Sequence, residues 1–219
     1  MSAIIGQKAP NLQISEWAQG APTNFDQEKD HIILVDVFQV NCPGCFMNAI
    51  PEAIEIYKKY SSDGVRVLGM ATAFEDFDKN TLDNLKMLLN TGEVIGDTKA
   101  ALSQYGKIKD GKLSYKIPFP IAMDNLVKTA GDASYEDMVR FIRPQVPDFD
   151  SQPQERKAEI IQRVRDYMKA KQYSAETFEK FGLRGTPSTI LVDRKGVLRD
   201  VSFGAGNTES MIKKLISEG

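Results

Sequence analysis

Residues 31–57 read HIILVDVFQVNCPGCFMNAIPEAIEIY, and this stretch decides the fold. His31 to Val40 form a nearly continuous apolar, β-branched run, the pattern of a strand buried on both faces of a sheet. Beyond the cysteines, Phe46, Met47, Ile50, Ile54 and Tyr57 recur at spacings that lay them along one face of a helix. Cys42-Pro43-Gly44-Cys45 therefore stands at a strand-to-helix junction. With Cys42 as N-cap, Pro43 takes the first helical position, where its missing N–H costs nothing and its fixed φ suits the helix. The amides of Gly44 and Cys45 are then expected to point at the Cys42 sulfur. Unpaired amides and the positive end of the helix dipole favour thiolate, so the Cys42 pKa should fall below the free value of about 8.5. Cys42 is thus the expected nucleophile, and Cys45, one turn inward, the shielded resolving thiol. Pro51 lies within the same predicted helix and should kink it.

These are the chain's only two cysteines. A structural zinc site needs four ligands, and the single histidine, His31, lies upstream on the predicted strand, so no metal is expected. A disulfide closing so short a loop would stabilise little, and in a reducing cytosol it would not persist as structure, whereas a cycling dithiol would. The remaining composition excludes other classes. Of 219 residues 42% are hydrophobic, enough for a full core, and 28 basic against 30 acidic residues leave a formal charge of −2 with no basic block to bind nucleic acid or an anionic membrane. Apolar runs are too short to span a bilayer, and the N-terminus lacks the basic and apolar pattern of a signal peptide, so a cytoplasmic location is expected.

Asp36 is the second unusual residue, a carboxylate inside IILVDVF, where desolvation should raise its pKa. An aspartate bonded to backbone or water at a strand end would be the structural reading. Six residues before the cysteine pair, it reads instead as a proton acceptor that helps Cys45 ionise.

At this point the sequence resembles the thioredoxin superfamily, in its branch related to TlpA and the peroxiredoxins. IIGQKAPNLQI, ILVDVFQVNCPGC, VRVLGMATAFEDF, FPIAMDN and FGLRGTPSTILVDRKGVL carry the resemblance over most of the chain. It implies a thioredoxin-like α/β fold, Asp36 at the family's buried acid position, and Thr186-Pro187 as the threonine and cis-proline that lie beside the redox cysteines and offer backbone to substrate. Pro43 and Gly44 would then also face substrate. The chain departs from thioredoxin in having Pro-Gly between its cysteines and Asn41 before them, which leaves the direction of electron flow open. Val35 and Gln39 stand where a peroxiredoxin carries proline and threonine, which disfavours a peroxidatic cysteine. The C-x-x-x-C and distant histidine of copper-delivery relatives are absent.

Along the chain, the patterns predict an N-terminal hairpin at about 10–26, strand 31–40, helix 43–60, strand 65–72, helix 79–90 and strand 119–124. Helix 175–181, strands 188–193 and 197–203, and a helix near 208–217 follow. Alternating strands and helices ending in a hairpin make a central mixed sheet covered on both faces, in a single domain 1–219. Residues 126–173 read as a helical insertion: Ser134 with Asp137 as a capping box, and apolar stripes at Tyr135, Met138, Val139, Ile142 and at Ile160, Ile161, Val164, Tyr167, Met168. Those stripes pack as core, or make a lid or partner platform. The expected function is thiol-disulfide exchange with a protein or small-molecule disulfide or dithiol and a thiol electron donor or acceptor, without cofactor. A thiol peroxidase and a non-catalytic binding module are the alternatives.

Overall fold

The apolar run becomes the middle of a sheet. The computed structural model describes residues 2–129, 134–143, 145–204 and 206–218. Strand β1 is Ile14–Gln19, and β2 is Ile32–Phe38, buried throughout. A helix begins at Pro43, passes through a π turn over Cys45–Ala49 and continues as α1, Ile50–Tyr60. Then come β3 (Val65–Ala71), α2 (Leu82–Thr91), α3 (Gly96–Gln104), the short strands β4 (Ile108–Lys109) and β5 (Lys112–Leu113), and β6 (Ile121–Asp124). Strand β7 (Leu126–Lys128) leads to α4 (Tyr135–Ile142) and α5 (Gln154–Ala170), and β8 (Tyr173–Ala175) returns to pair with β7. The chain closes with α6 (Glu176–Lys180), β9 (Ser188–Val192), β10 (Leu198–Phe203) and α7 (Thr208–Ser217).

Six strands form one mixed sheet in the order β1-β6-β3-β2-β9-β10. Strands β2, β3 and β6 run parallel, while β1, β9 and β10 pair antiparallel with their neighbours. Side chains alternate along a strand, so β2 feeds two cores. Ile33, Val35 and Val37 pack with Leu12, Phe25 and Phe181 on one face. Ile32, Leu34 and Phe38 pack with Phe46, Ile50, Ile54 and Ile212 on the other. The same alternation turns Asp36 towards the face that carries α1.

The expected N-terminal hairpin does not form. β1 pairs with β6 instead, Trp17 opposite Ala122, and no strand occupies 20–26. Pro22 lacks a ladder donor, and the Asn24 side chain supplies what a partner strand would have offered Leu12, accepting from its N–H at 2.9 Å and donating to its carbonyl at 3.0 Å.

Residues 1–126 with 175–219 form one compact unit and 127–174 another. Within the second, Ser134 caps α4 by accepting from Asp137 N–H at 3.1 Å. Met138, Ile142 and Phe149 are buried, Phe141 stacks on Tyr167 at 5.8 Å, and Tyr135 is exposed. Residues 130–133 and 144 of the expected insertion lie outside the described residues. Among the described residues no helix is long and apolar enough to cross a membrane.

Candidate active site

The end of β2 delivers Cys42 to the start of the helix, and Cys42 and Cys45 are joined by a disulfide with their Cα atoms 5.4 Å apart. Cys42 keeps 8% of its surface and Cys45 none, which makes Cys42 the more accessible of the pair. The Cys45 amide donates both to the Cys42 carbonyl at 3.1 Å and to its Sγ at 3.3 Å. The Gly44 amide, expected to share that task, makes no such bond: the first turn closes on Cys45 alone.

The π turn explains how the helix tolerates Pro51. The Ile50 amide reaches back five residues to the Cys45 carbonyl. In that register the missing N–H of Pro51 falls opposite the Phe46 carbonyl, which takes the Tyr115 hydroxyl at 2.9 Å instead. The helix therefore changes register here, beside the cysteine pair, where a simple proline kink was expected. Tyr115→Phe should leave a buried carbonyl unpaired and cost about 1–3 kcal/mol, seen as a lower denaturation midpoint at unchanged m value.

Asn41 is clamped. Its amide side chain donates to Asp76 Oδ2 at 2.7 Å and Asp97 Oδ2 at 3.1 Å, and its Oδ1 accepts from Asp97 N–H at 2.7 Å. Its own N–H donates to Asn80 Oδ1 at 2.8 Å. These bonds tie the residue before Cys42 to the 76–80 loop and to the start of α3. Gly96 makes the close approach possible: its φ is +53°, and a Cβ there would collide with Asn41 Oδ1. Gly96→Ala should destabilise the protein by about 2 kcal/mol or more, from left-handed strain plus that collision, measured by urea unfolding.

Across from the disulfide, the Thr186–Pro187 peptide bond is cis. Pro187 lies against Gly44, so close that a Cβ on Gly44 would sit 3.8 Å from Pro187 Cδ. The Pro187 carbonyl accepts from Gly204 N–H at 2.8 Å. Among the described residues the N–H and C=O of Thr186 have no partner.

Asp36 is 1% exposed, and neither carboxyl oxygen has a hydrogen-bond partner. The contrast with Asp124 is instructive. Asp124 is as deeply buried but accepts from Thr72 Oγ1, Thr177 N–H and Phe178 N–H, and so serves the fold. Burial first, then the Glu52 carboxylate, push the Asp36 pKa up to about 7. Burial, then the charge of Asp36, also hold the Tyr115 hydroxyl well above the ordinary tyrosine range. A cavity of about 180 Å³ opens beside Asp36 and is lined also by Gly44, Glu52, Pro187 and Thr189. The structure thus brings Cys42, Cys45, Pro43, Gly44 and Pro187 together, with Thr186 next in chain and Asp36 on the cavity behind them. Sequence reading passed over Asn41's clamp, Tyr115 and Glu52. Only Glu52 left a trace, as a carboxylate between Ala49 and Ala53 on the helix that carries Cys45.

A parallel β2-β3-β6 core, antiparallel β9-β10, a disulfide at a helix start and a proline loop facing it define the thioredoxin-like fold, and the chain has that fold. It is similar to the crystal structure of a thioredoxin-like superfamily protein, at 25% identity over 98% of this chain and 99% of that one, with a TM-score of 0.59. It is also similar to a thiol-disulfide isomerase from Corynebacterium glutamicum, at 25% identity over 95% of each chain, with a TM-score of 0.57. No protein-family model and no curated protein matches the sequence.

Proposed function

We propose that the protein is a thiol-disulfide oxidoreductase working through Cys42 and Cys45. The observation that carries this is the Cys42–Cys45 disulfide at a helix start, with one cysteine slightly exposed and the other fully buried. In the reducing direction the Cys42 thiolate attacks a substrate disulfide, forming a Cys42–substrate bond and releasing one substrate thiolate. Cys45 gives up its proton, with Asp36 as acceptor, and its sulfur attacks Cys42 Sγ. The Cys42–Cys45 bond forms, the second substrate thiolate leaves, and two electrons have passed to the substrate. A thiol donor then restores the dithiol, and oxidation of a substrate dithiol runs the same steps backwards. The N–H and C=O of Thr186, without partners among the described residues and beside Pro187 and Gly44, suit pairing with an extended peptide, so the substrate we propose is a protein disulfide or dithiol.

The stretches IIGQKAPNLQI and FGLRGTPSTILVDRKGVL support a place in the TlpA-like branch. A cytoplasmic setting suits a chain whose only cysteines are a cycling pair. The test is a redox titration of the Cys42–Cys45 couple together with turnover of a generic protein disulfide and of hydrogen peroxide. Disulfide turnover that needs Cys42, with peroxide consumed far more slowly, is the expected result. Faster peroxide turnover makes the protein a thiol peroxidase, and a cysteine pair that exchanges with neither makes the fold a binding scaffold.

A further inference from the structure

A base buried as Asp36 is must pass on the proton it collects, or it serves one turnover and stops. Asp36 has no hydroxyl, amide or imidazole to hand a proton to, since both its oxygens lack partners. It does border the cavity of about 180 Å³, which has room for several waters. The helix keeps that space open by presenting Ala49 and Ala53, one turn apart, where larger side chains would fill it. Between them in sequence stands Glu52, which lines the same cavity yet is an exposed residue. Thr189, opposite Asp36 in the sheet register, and Thr208 at the start of α7 add hydroxyls along the wall.

We propose that Glu52 is a positioning residue for thiol-disulfide exchange, the outer station through which the Asp36 proton reaches solvent. This inference rests on the reading of Asp36 as the proton acceptor for Cys45. In the resolving step the Cys45 proton moves to an Asp36 oxygen, then through cavity water to Glu52, and from there to bulk. In the opposite direction the route runs inward and reprotonates Cys45. No net charge or electron is left behind in either case.

The electrostatics suit such a hand-over, because both acids are held above their ordinary carboxylate range. Glu52 helps raise Asp36, and Glu52 is itself raised by its partial burial and then by Glu209 on α7. Glu209 is largely spoken for, accepting from Tyr60 at 2.7 Å and facing Lys59 at 3.6 Å and Lys213 at 3.4 Å. Burial, then the charge of Asp36, keep Tyr115 protonated. Among the described residues no lysine or arginine forms an ion pair with Asp36 or Glu52.

The test follows repeated turnover of a protein disulfide, under conditions where attack of Cys45 on the Cys42 mixed disulfide limits the rate, across pH, in the parent, Glu52→Gln and Asp36→Asn. Glu52→Gln should slow this step about tenfold, less than the roughly 10²-fold or more for loss of a base itself. It should move the Asp36 inflection below about 7, because a repelling negative charge has gone. Added formate, small enough for the cavity, should restore most of the rate. The alkylation pKa of Cys42 should not move. A normal pH profile in Glu52→Gln, or a slow step that formate does not help, overturns the relay. If Asp36→Asn is slow while Glu52→Gln is normal, only the relay falls; if Asp36→Asn is also normal, the proton-acceptor reading falls and takes the relay with it.

Discussion

Cys42→Ser should abolish disulfide exchange, whereas Cys45→Ser should attack once and remain bonded to its substrate. The asymmetry follows from position. Cys42 stands before the first helical residue, is the one of the two cysteines with exposed surface, and receives the Cys45 amide at 3.3 Å on its sulfur. An N–H aimed at sulfur, backed by the helix dipole, stabilises thiolate more than thiol. Cys45 is fully buried, and its carbonyl, bonded to Ile50 N–H, is held in the π turn. It can reach Cys42 Sγ, as their disulfide shows, but not an incoming protein. Without Cys42 the rate should drop to that of the uncatalysed background. Without Cys45 mass spectrometry should find one covalent adduct per chain. Alkylation of the reduced parent should titrate Cys42 with a midpoint below about 8.5; faster labelling of Cys45 would reverse the assignment.

Asp36→Asn should slow resolution of the mixed disulfide near neutral pH and, at the same time, stabilise the fold at high pH. The sign follows from proton binding. The folded protein holds the Asp36 proton up to about 7, while an unfolded aspartate releases it near 3.8. Between those values the native state binds more protons, so stability falls as pH rises. At about 1.4 kcal/mol per pH unit, the parent should lose on the order of 4 kcal/mol between pH 4 and pH 8 from this group alone. The amide variant cannot ionise and should lose none of it. Urea unfolding of both proteins at pH 4, 6 and 8 reads the difference directly. Parallel curves would mean that Asp36 has the same pKa folded and unfolded and is ionised throughout this range, and then it could not hold a proton taken from Cys45.

The residues proposed to carry the chemistry were legible because each breaks a local pattern: two cysteines in one tetrapeptide, a carboxylate inside an apolar strand, a proline before STILV. The central strands were legible for the same reason in reverse, since β2 and β3 are plain buried runs. Pairing partners were not. Nothing in ISEWAQ distinguishes a strand that folds back on its own neighbours from one that crosses to Ile121–Asp124, and the side chain that settles the matter, Asn24, is a common loop residue. Helix α3 escaped notice because GDTKAALSQ buries only Thr98 and Leu102, too little for an apolar stripe. The π turn and the Tyr115 bond depend on a contact between residues far apart in sequence, which periodicity cannot see. Glu52 gained its meaning only when the sheet placed Asp36 across a cavity from it.

The strand order carries a consequence for how the protein is made. Strand β2, which leads to the cysteines, has β3 on one side, close behind it in the chain, and β9 on the other, far behind it in the chain. During synthesis Asp36 therefore waits without Thr189 until the chain through β9 has left the ribosome. Until then one flank of β2 offers open amides and carbonyls, and the helix bearing Cys45 has no α7 against which to settle. The cysteine pair emerges early and its proline loop last. A ribosome-bound chain stopped short of residue 188 should thus carry thiols without the selectivity of the finished enzyme, and mispairing of the β2 flank is the hazard that a nascent chain of this topology has to survive.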